Sequence, residues 1–360
     1  MKPENPVLII LTPGFPKNED DSTCLPTQQS FVKSILDLYP DIQIVILSFH
    51  YPFSSKPYLW NGISVIPFDG HGKEKILRLR LWFRIWKKLR SLKKEKNLVG
   101  IFSFWATDCA FIGKWFGRMH HIKQYCWISG QDAKKGNPYI RLMRPKPENL
   151  IAMSDFLQKE FFRNHRIRPM HVIPIGIDPG QFETNSPVKD IDVLGAGSLI
   201  PLKQFSAFIK VVFELVKQRP GIKAMICGKG PEEAALRAKI QELNMQGQIS
   251  MPGEVQHREL MKLMQRTKIF LHPSSYEGFG AVCIEALYAG AHVISFRRPI
   301  AGWIRHWHIV SSEEEMWQKT QEILESPETE YSRSVPFLMS ESVKSVMNLF
   351  GLQAHQIQPD

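Results

Sequence analysis

Two acidic side chains, Glu277 and Glu285, flank a segment with the sequence Gly-Phe-Gly-Ala-Val-Cys-Ile. An apolar run upstream, Lys268 to Leu271, predicts a buried strand, and Ala281 to Tyr288 predicts a short helix closed by Gly290. The glycines therefore lie on a turn that joins a strand to a helix. Such a turn can bind an anion, because the start of a helix presents unpaired N–H groups and the positive end of the helix dipole.

Gly278 and Gly280 carry no side chain that would keep a phosphate away from this turn. Glu285 lies one turn inside the predicted helix, about 6 Å along the axis from Ala281, which suits a carboxylate that binds ribose hydroxyls. If the diphosphate of a nucleotide lies on the turn, Glu277 would face the group attached beyond that diphosphate. The alternative is a capped helix with two solvated acids, which needs no ligand.

The composition of the 360-residue chain is that of a soluble globular protein with two domains. No segment approaches the ~20 apolar residues of a membrane-spanning helix. The strand-length run Val7 to Thr12 follows Lys2 and Glu4, which argues against a signal peptide. Five scattered cysteines without C-x-x-C spacing are typical of the reducing cytoplasm, the expected location.

The excess positive charge lies in the first half of the chain. Residues 1–150 hold 23 of the 46 Lys and Arg residues but only 12 of the 35 Asp and Glu residues. Lys73 to Lys96 contains eleven of these basic residues, and its periodicity predicts an amphipathic helix. One face is basic and the other is apolar; the basic residues are Arg80, Arg84, Lys87 and Lys88, and the apolar ones are Leu81, Trp82, Ile85, Trp86, Leu89 and Leu92.

This helix allows three interpretations. It could lie on an anionic bilayer, with Trp82 and Trp86 at the interface, which would place the protein on the inner face of the plasma membrane. Its apolar stripe could instead pack on the sheet of the first domain. The basic face could also meet nucleic acid, but no motif accompanies it, so a nucleic-acid partner is not expected.

Strand-like apolar runs alternate with helical patterns, which predicts an α/β fold with parallel sheets. The strands predicted in the first half are Val7–Thr12, Gln43–Phe49, Ser64–Pro67, Leu98–Phe104, Gln124–Ser129, Leu150–Ser154 and His171–Pro174, and the helices are Thr27–Leu38 and Asp155–His165. After a polar linker, residues 179–189, the predicted strands are Asp192–Ala196, Lys223–Cys227, Ile249–Met251, Lys268–Leu271 and His292–Phe296. An apolar stripe from Phe205 to Val216 and a helix starting at Pro231 connect them.

Ligands bind beyond the carboxyl ends of strands in such sheets. Four consecutive strands of the second series end in small or phosphate-compatible residues, namely Gly195 to Ser198, Gly228 to Pro231, Pro252 to Glu254 and the Glu277 turn. A single Gly-x-Gly is weak evidence, but four such ends at one edge favour a nucleotide site.

Taken in order, these residues resemble the C-terminal half of a group 1, family 4 retaining glycosyltransferase of the GT-B, glycogen-synthase-like type. Gly197 to Gln204 is similar to the family pattern Gly-Arg-Leu-x-x-x-Lys-Gly, and Gly228 to Pro231 matches Gly-x-Gly-Pro. Pro273 to Glu285 matches Pro-Ser-x-x-Glu-Gly-Phe-Gly with its second Glu, and Val172 to Asp178 is also similar. The resemblance extends over about residues 120–296.

This resemblance implies two Rossmann-like, doubly wound parallel-sheet domains that face a cleft. Residues 1–180 would bind the acceptor, residues 181–335 would bind the nucleotide sugar, and a helix within residues 336–360 would return to the first domain. It implies transfer from a UDP- or GDP-sugar to a lipid-linked acceptor, oligosaccharide or cell-surface polysaccharide. The anomeric configuration would be retained, and no metal or other cofactor would be needed.

The resemblance also implies roles for single residues. Lys203 would neutralise the donor diphosphate, Glu277 would bind sugar hydroxyls and Glu285 would hold the ribose. The amides of Phe279 to Ala281 would hold the distal phosphate, and Gly253 to Val255 would lie beside the base. Together with Lys203, Glu277, Phe279 and Glu285, the donor-binding candidates are Gly14, Gly197, Ser198, Gly228, Gly253, Val255, Gly278, Gly280 and Ala281.

The chain departs from the family pattern at three places. Ser198 replaces the arginine of the phosphate motif, and Ser129 replaces the histidine of a His-Gly-x-Asp motif that is here Ser129-Gly130-Gln131-Asp132. The N-terminal glycine-rich loop is reduced to Gly14-Phe15-Pro16. Lys229, Arg297 or Arg298 could replace the missing arginine. These departures leave open a catalytically silent module that binds a nucleotide sugar or serves as a partner subunit.

Asp132 and Ser129 are the acceptor-side candidates. Asp132 follows a predicted strand and could orient the acceptor hydroxyl or act as its base; the alternative is an ordinary turn aspartate. A metal site is not expected, because the carboxylates Asp190 and Asp192 precede their strand rather than follow it. The histidine pairs lack a third ligand as well; they are His120 with His121 and His306 with His308.

An NAD-dependent dehydrogenase is a competing enzyme class, since glycine pairs follow the strands. Its fingerprint needs a third glycine three residues further on. Ile200 and Glu233 occupy those positions, which argues against this class.

Overall fold

The computed structural model describes residues 5–70, 75–185 and 187–354. The chain divides into two compact units: unit 1 comprises residues 1–175 with 339–360, and unit 2 comprises residues 176–338. Each unit contains one parallel or nearly parallel sheet whose strands are connected by helices. The predicted α/β class with two Rossmann-like sheets is therefore confirmed.

Unit 1 is built on an eight-stranded sheet. Its strands are β1 Pro6–Gly14, β2 Gln43–Tyr51, β3 Tyr58–Trp60, β4 Ile63–Pro67, β5 Asn97–Phe104, β6 Gln124–Ile128, β7 Leu150–Ala152 and β8 His171–Val172. Its first five helices are α1 Pro26–Leu38, α2 Lys75–Glu95, α3 Asp108–His120, α4 Pro138–Met143 and α5 Asp155–His165. The strand order is β3-β4-β2-β1-β5-β6-β7-β8, and among the strands that the structure describes in this unit only β3 runs antiparallel to its neighbour.

β1 lies at the centre of this sheet, where Ile9 pairs with Val45 of β2 and with Ile101 of β5. All three side chains are at most 3% exposed. A strand covered on both sides reads as a continuous apolar run rather than an alternating one, which is how β1 is written in the sequence.

Unit 2 repeats the same plan with six parallel strands. They are β9 Ile191–Ala196, β10 Ala224–Cys227, β11 Ile249–Gly253, β12 Thr267–His272, β13 His292–Ser295 and β14 Trp307–Ile309. The helices between them are α6 Phe205–Gln218, α7 Glu233–Glu242, α8 His257–Gln265 and α9 Ala281–Tyr288, and α10 Glu313–Glu325 follows β14. The strand order is β11-β10-β9-β12-β13-β14, so the order in which successive strands are added to the sheet reverses between β9 and β12. Open α/β sheets bind ligands at such a switch point.

One sequence prediction needs correction here, and one alternative that the sequence left open is decided. Helix α7 begins at Glu233, so Pro231 lies in the preceding turn rather than in the first turn of the helix. The apolar stripe of α2 is part of the unit 1 core, because Leu81, Ile85 and Leu89 are at most 5% exposed and pack on the sheet.

The tryptophans of α2 also face inward in part. Trp82 contacts Phe111 with ring centroids 4.9 Å apart, and Trp86 contacts Phe116 at 5.1 Å. The stripe predicted either to lie on a bilayer or to pack on the sheet therefore packs on the sheet. The Arg84 side chain is held in place as well, because it donates a hydrogen bond to the Phe68 carbonyl at 2.9 Å. Among the residues described, no helix is long and apolar enough to cross a bilayer.

The last helix, α11 Met339–Leu349, belongs to unit 1 although it follows all of unit 2 in sequence. Its apolar face is buried, and it lies against α1. Phe350, just after it, is 5% exposed and packs so closely on β5 that a Cβ on Gly100 would lie 2.2 Å from its ring. Tyr125 of β6 donates a hydrogen bond to the Leu349 carbonyl at 3.0 Å.

Candidate functional site

Lys203 and Glu277 meet at the switch point of the unit 2 sheet. Lys203 ends a 3-10 turn that follows β9, and Glu277 lies five residues after the end of β12. The Lys203 Nζ lies 2.7 Å from the Glu277 Oε2, and His272 Nε2 lies 2.9 Å from the same oxygen. The structure thus brings together two residues predicted from the sequence and adds His272, which the sequence did not suggest.

The surroundings of Glu277 favour its charged form. Burial alone would raise the pKa of this carboxyl, but the hydrogen bond from His272 and the charge of Lys203 lower it well below its usual range. His272 is 3% exposed, and burial lowers its pKa; its Nε2 donates a hydrogen bond to the Glu277 carboxylate. The lysine side chain keeps 19% of its surface exposed, enough for its ammonium group to interact with an anion.

The loops that follow β9 and β10 approach each other so closely that only glycine fits at the points of contact. A Cβ on Gly228 would lie 1.9 Å from the Gly197 carbonyl oxygen, and one on Gly230 would lie 2.3 Å from that of Leu199. Gly197 and Gly228 also have φ values of +144° and +149°, which side-chain-bearing residues rarely adopt. The loops after these strands therefore expose main chain directly beside Lys203.

Helix α9 begins at the turn predicted to bind the distal phosphate. Gly280 is its N-cap with a φ of +81°, and no side chain caps the helix. The first N–H groups of a helix have no partner inside it, so the segment from Phe279 to Ala281 can present donors to an anion. A Cβ on Gly280 would lie 3.5 Å from Glu277 Cγ, so the acid is adjacent to this turn.

Glu285, the predicted ribose ligand, is held by a partner from a different helix. His257, the first residue of α8, places its Nε2 2.9 Å from the Glu285 Oε1. Both side chains are nearly buried, with 13% and 12% of their surface exposed. Burial alone would lower the pKa of His257, but the hydrogen bond and charge of Glu285 raise it. Because His257 is 28 residues away from Glu285 in sequence, no sequence signal identified this contact.

We expect this pair to make stability depend on pH. Because the pKa of His257 is raised in the folded state, the pair stabilises fully below the ordinary value of about 6.5 and less as the pH rises through the folded value. His257→Gln keeps a donor but cannot titrate. The difference in melting temperature between wild type and this variant should therefore shrink from pH 6 to pH 9, measured by differential scanning fluorimetry. Parallel pH profiles for the two proteins would contradict the ion pair.

The remaining donor-side candidates lie around these groups. Gly253 ends β11 with a φ of +86°, and its carbonyl accepts the N–H of Gly228 at 2.8 Å, which places the predicted base-binding segment 253–255 beside the glycine loops. Ser198 is exposed. Of the three proposed replacements for the missing arginine, Lys229 lies 3.9 Å from Glu254, and Arg297 donates to the Ser275 carbonyl at 3.4 Å.

In unit 1, Gly14 ends β1 and accepts a hydrogen bond from the Thr12 hydroxyl at 2.6 Å. Asp132 is 2% exposed, and its carboxylate accepts the N–H of Ser129 at 2.8 Å, so it stabilises the turn after β6. Burial raises the pKa of Asp132 to about 6. This geometry is that of the turn aspartate left open by the sequence; the acceptor-side roles of Ser129 and Asp132 remain predictions.

A second histidine–carboxylate pair, which the sequence analysis missed, lies at the carboxyl edge of the unit 1 sheet. His50 of β2 places its Nε2 3.2 Å from Asp108 Oδ2 and its Nδ1 2.8 Å from the Gly70 carbonyl. The hydrogen bond with Asp108 raises the pKa of His50 against the effect of burial. With an acceptor at each ring nitrogen, His50 is positioned as a cation. A histidine at the end of a buried strand was the available signal.

Several of the acids and histidines considered for metal binding have other partners. Asp190 is held by Arg266 with an oxygen–nitrogen distance of 2.5 Å, and Asp192 by Lys268 at 2.7 Å. His308 lies 3.0 Å from a ring nitrogen of His292. The described residues contain no group of three or more His, Cys, Asp or Glu side chains that could hold a metal ion.

Comparison with known proteins agrees with the donor-site geometry. Residues 178–330 match the family described as glycosyl transferases group 1, which confirms the resemblance predicted from the sequence for this part of the chain. Over 103 residues the chain is 33% identical to a 2-deoxystreptamine N-acetyl-D-glucosaminyltransferase of Niallia circulans, covering 29% of this chain and 26% of that protein. It is 24% identical over 250 residues to the phosphatidylinositol N-acetylglucosaminyltransferase gpi3 subunit of Schizosaccharomyces pombe, 66% of this chain and 55% of that protein. The chain therefore spans about half the length of these relatives or less.

Solved structures of similar fold cover nearly the whole chain. Anabaena HepE in complex with UDP and glucose aligns with a TM-score of 0.68 and 14% identity over 95% of this chain and 94% of that one. WaaG, described as a glycosyltransferase involved in lipopolysaccharide biosynthesis, aligns with a TM-score of 0.63 and 14% identity over 96% and 97%. At these identities the likeness shows the fold, which is GT-B.

Proposed function

We propose that this chain, with its GT-B fold and its group 1 segment, is a glycosyltransferase that moves a sugar from a nucleotide-sugar donor to an acceptor hydroxyl. The observation that carries the proposal is the Lys203–Glu277 pair at the β9/β12 switch point. Three features lie at one edge of the sheet, within the segment that matches the family. They are the ammonium group of Lys203, the start of α9 without a side-chain cap, and the loops after β9 and β10, which approach each other at positions where only glycine fits.

In this proposal the residues of unit 2 act by stabilising negative charge on the donor. Lys203 offsets the negative charge that develops on the departing nucleoside diphosphate, and the N–H groups from Phe279 to Ala281 receive the distal phosphate. Fixed donors aimed at a developing charge lower the barrier without reorganisation, so the reaction needs no metal ion. Glu277 binds hydroxyls of the sugar, and Glu285, oriented by His257, holds the ribose.

We further propose retention at the anomeric carbon and a lipid-linked, oligosaccharide or surface-polysaccharide acceptor. Retention would follow from attack on the same face as the leaving phosphate, whose oxygen accepts the proton of the acceptor hydroxyl. The family resemblance and the relatives support this choice: one relative is named for transfer of N-acetylglucosamine to phosphatidylinositol, and WaaG for lipopolysaccharide biosynthesis. The proposed location is the cytoplasm.

The competing proposal is a silent module that binds a nucleotide sugar without transferring it. Ser198 and Ser129, which replace a family arginine and histidine, are the observations in its favour. Calorimetry that detects donor binding, combined with no turnover on any acceptor, would support this alternative.

A donor screen tests the proposed function directly. We expect one UDP- or GDP-sugar to raise the melting temperature of the protein with increasing concentration, because it binds only the folded state. The same donor should release nucleoside diphosphate in the presence of acceptor, and EDTA should change the rate by less than about twofold, since no metal acts as the Lewis acid. NMR of the product should show the anomeric configuration of the donor. Loss of activity in EDTA that Mg²⁺ restores would contradict metal independence.

A further inference from the structure

An apolar groove lies between α2 and α3 of unit 1, and none of its lining residues is among those assigned to the donor. Its volume is about 340 Å³, comparable with small-molecule sites. Six apolar side chains line it: Trp82, Phe83, Trp86, Phe111, Ile112 and Trp115. Five of the six are aromatic, and their rings form the walls of the groove along the two helices, so the groove is shaped for a hydrocarbon rather than for a polar ligand.

The rim of this groove exposes apolar side chains that a soluble protein ordinarily buries. Phe83 is 71% exposed, Trp115 is 38% exposed and Met119, one turn beyond Trp115, is 63% exposed. Leu79, one turn before Phe83, is 60% exposed. A contiguous exposed patch of this kind marks an interaction surface, whereas scattered single residues do not.

The same two helices carry an almost unopposed positive charge. Over the residue ranges of α2 and α3 the sequence has only two acids, Glu95 and Asp108. Asp108 is 4% exposed and paired with His50, and Glu95 lies at the far end of α2. The exposed basic residues beside the apolar rim are Arg80, Lys87, Arg90 and Arg118.

Two cations lie directly over the exposed indole of Trp115. The Lys114 Nζ is 5.2 Å from its ring centroid and the Arg118 guanidinium carbon is 5.7 Å away. An aromatic ring flanked by cations is suited to the interface of a bilayer, where the ring enters the acyl boundary and the cations meet the headgroups. The complementary partner is therefore both apolar and negatively charged.

We propose that this groove and its basic rim bind the surface of an anionic phospholipid bilayer. Phe83 and Trp115 enter the interfacial region, a hydrocarbon chain occupies the groove, and the basic residues contact anionic headgroups. The groove shares Trp82 and Trp86 with the apolar stripe considered from the sequence, whereas Leu81, Ile85 and Leu89 of that stripe are buried against the sheet. It rests on unit 1 alone and does not depend on the proposed donor chemistry.

The test is flotation of the full chain with vesicles of phosphatidylcholine, with and without phosphatidylglycerol. We expect the wild-type protein to float with the anionic vesicles at low salt and to be released by high salt, because headgroup contacts are screened. Phe83→Ser with Trp115→Ser should lower the apparent vesicle affinity at least about tenfold, since two apolar side chains lose their buried environment. Arg80→Ala with Lys87→Ala and Arg118→Ala should lower it by a similar factor.

Matched controls lie elsewhere on the surface. Trp303→Ser changes an indole that is 81% exposed in unit 2, and Lys56→Ala with Lys135→Ala removes exposed positive charge without touching the groove. These controls should float like the wild type. The variants of the groove should keep the wild-type melting temperature, because the substituted residues lie on the surface.

Failure of the wild-type chain to float with anionic vesicles would overturn the proposal. So would equal loss in the Trp303 control, or a wild-type dimer in sedimentation that the Phe83 and Trp115 changes dissociate without any vesicle binding. The last result would identify the groove as an interface between two copies of the chain. A donor screen with no hit would leave these outcomes unaffected.

Discussion

Lys203→Ala should lower kcat/KM for nucleotide-sugar turnover by at least about 100-fold, the effect typical of removing one donor aimed at a developing charge. The Lys203 ammonium is the cation that lies 2.7 Å from Glu277 at the switch point, and Ser198 stands where the family has an arginine. With no second cation from that motif, the loss should exceed what a redundant contact would give. Steady-state assays of nucleotide release measure it.

Lys210→Ala is the matched control for this substitution. Lys210 also forms an ion pair with a glutamate of unit 2, Glu313, at 3.0 Å, but both side chains are about half exposed. Exposed pairs contribute little, so this variant should keep wild-type turnover and change stability by less than about 0.5 kcal/mol. Lys203→Arg retains the positive charge and should recover part of the lost rate. Unchanged turnover in Lys203→Ala would remove this residue from the donor site.

Gly228→Ala should destabilise the protein by about 3 kcal/mol or more. The new methyl group would lie 1.9 Å from the Gly197 carbonyl oxygen, and the φ of +149° is unfavourable for alanine. Overpacking and backbone strain of this kind each cost about 1–3 kcal/mol. Because the same close approach exposes the main chain beside Lys203, the variant should also lose donor binding. Urea denaturation followed by tryptophan fluorescence, with calorimetry for the donor, measures both effects.

Gly247→Ala provides the comparison, since a Cβ there would meet nothing within 4 Å. Gly-to-Ala changes at compatible positions leave stability unchanged or raise it slightly by restricting the unfolded chain. A soluble Gly228→Ala protein with the urea midpoint of Gly247→Ala would show that the loops after β9 and β10 can separate without cost.

Strong periodic patterns were enough to predict much of the fold. The stripe from Phe205 to Val216 became α6, whose inward side chains form the core of unit 2. Helix α3 was missed because Gly113 and Gly117 weaken its helical propensity; both glycines pack against neighbouring segments, with Cβ positions 2.9 Å and 2.8 Å from other atoms. Tertiary contact, which the sequence does not display, decided this element.

The short strand β3 was missed for a different reason. Three residues carry little periodicity, but the Asn61-Gly62 pair that joins it to β4 is a strong hairpin signal, and both residues have positive φ values. Attention to turn chemistry would have predicted this antiparallel edge.

At the donor site, sequence patterns identified the residues but not their partners. Glu277, Glu285 and Lys203 came from motifs, whereas His272 and His257 meet them through the fold. The amphipathic pattern of α2 likewise could not decide which surface its apolar stripe would meet. The stripe packs on its own sheet, and the exposed apolar residues flank it on the groove.

The late position of α11 has a consequence for how the protein is made. Unit 2 is one continuous stretch of chain and can fold once the ribosome has released it, but the N-terminal half must wait with an uncovered flank at β5 until residues 339–350 emerge. We therefore expect the flank of the sheet at β5 to be accessible to chaperones and proteases throughout synthesis of unit 2. Unit 1, which is synthesised first, therefore completes its folding last.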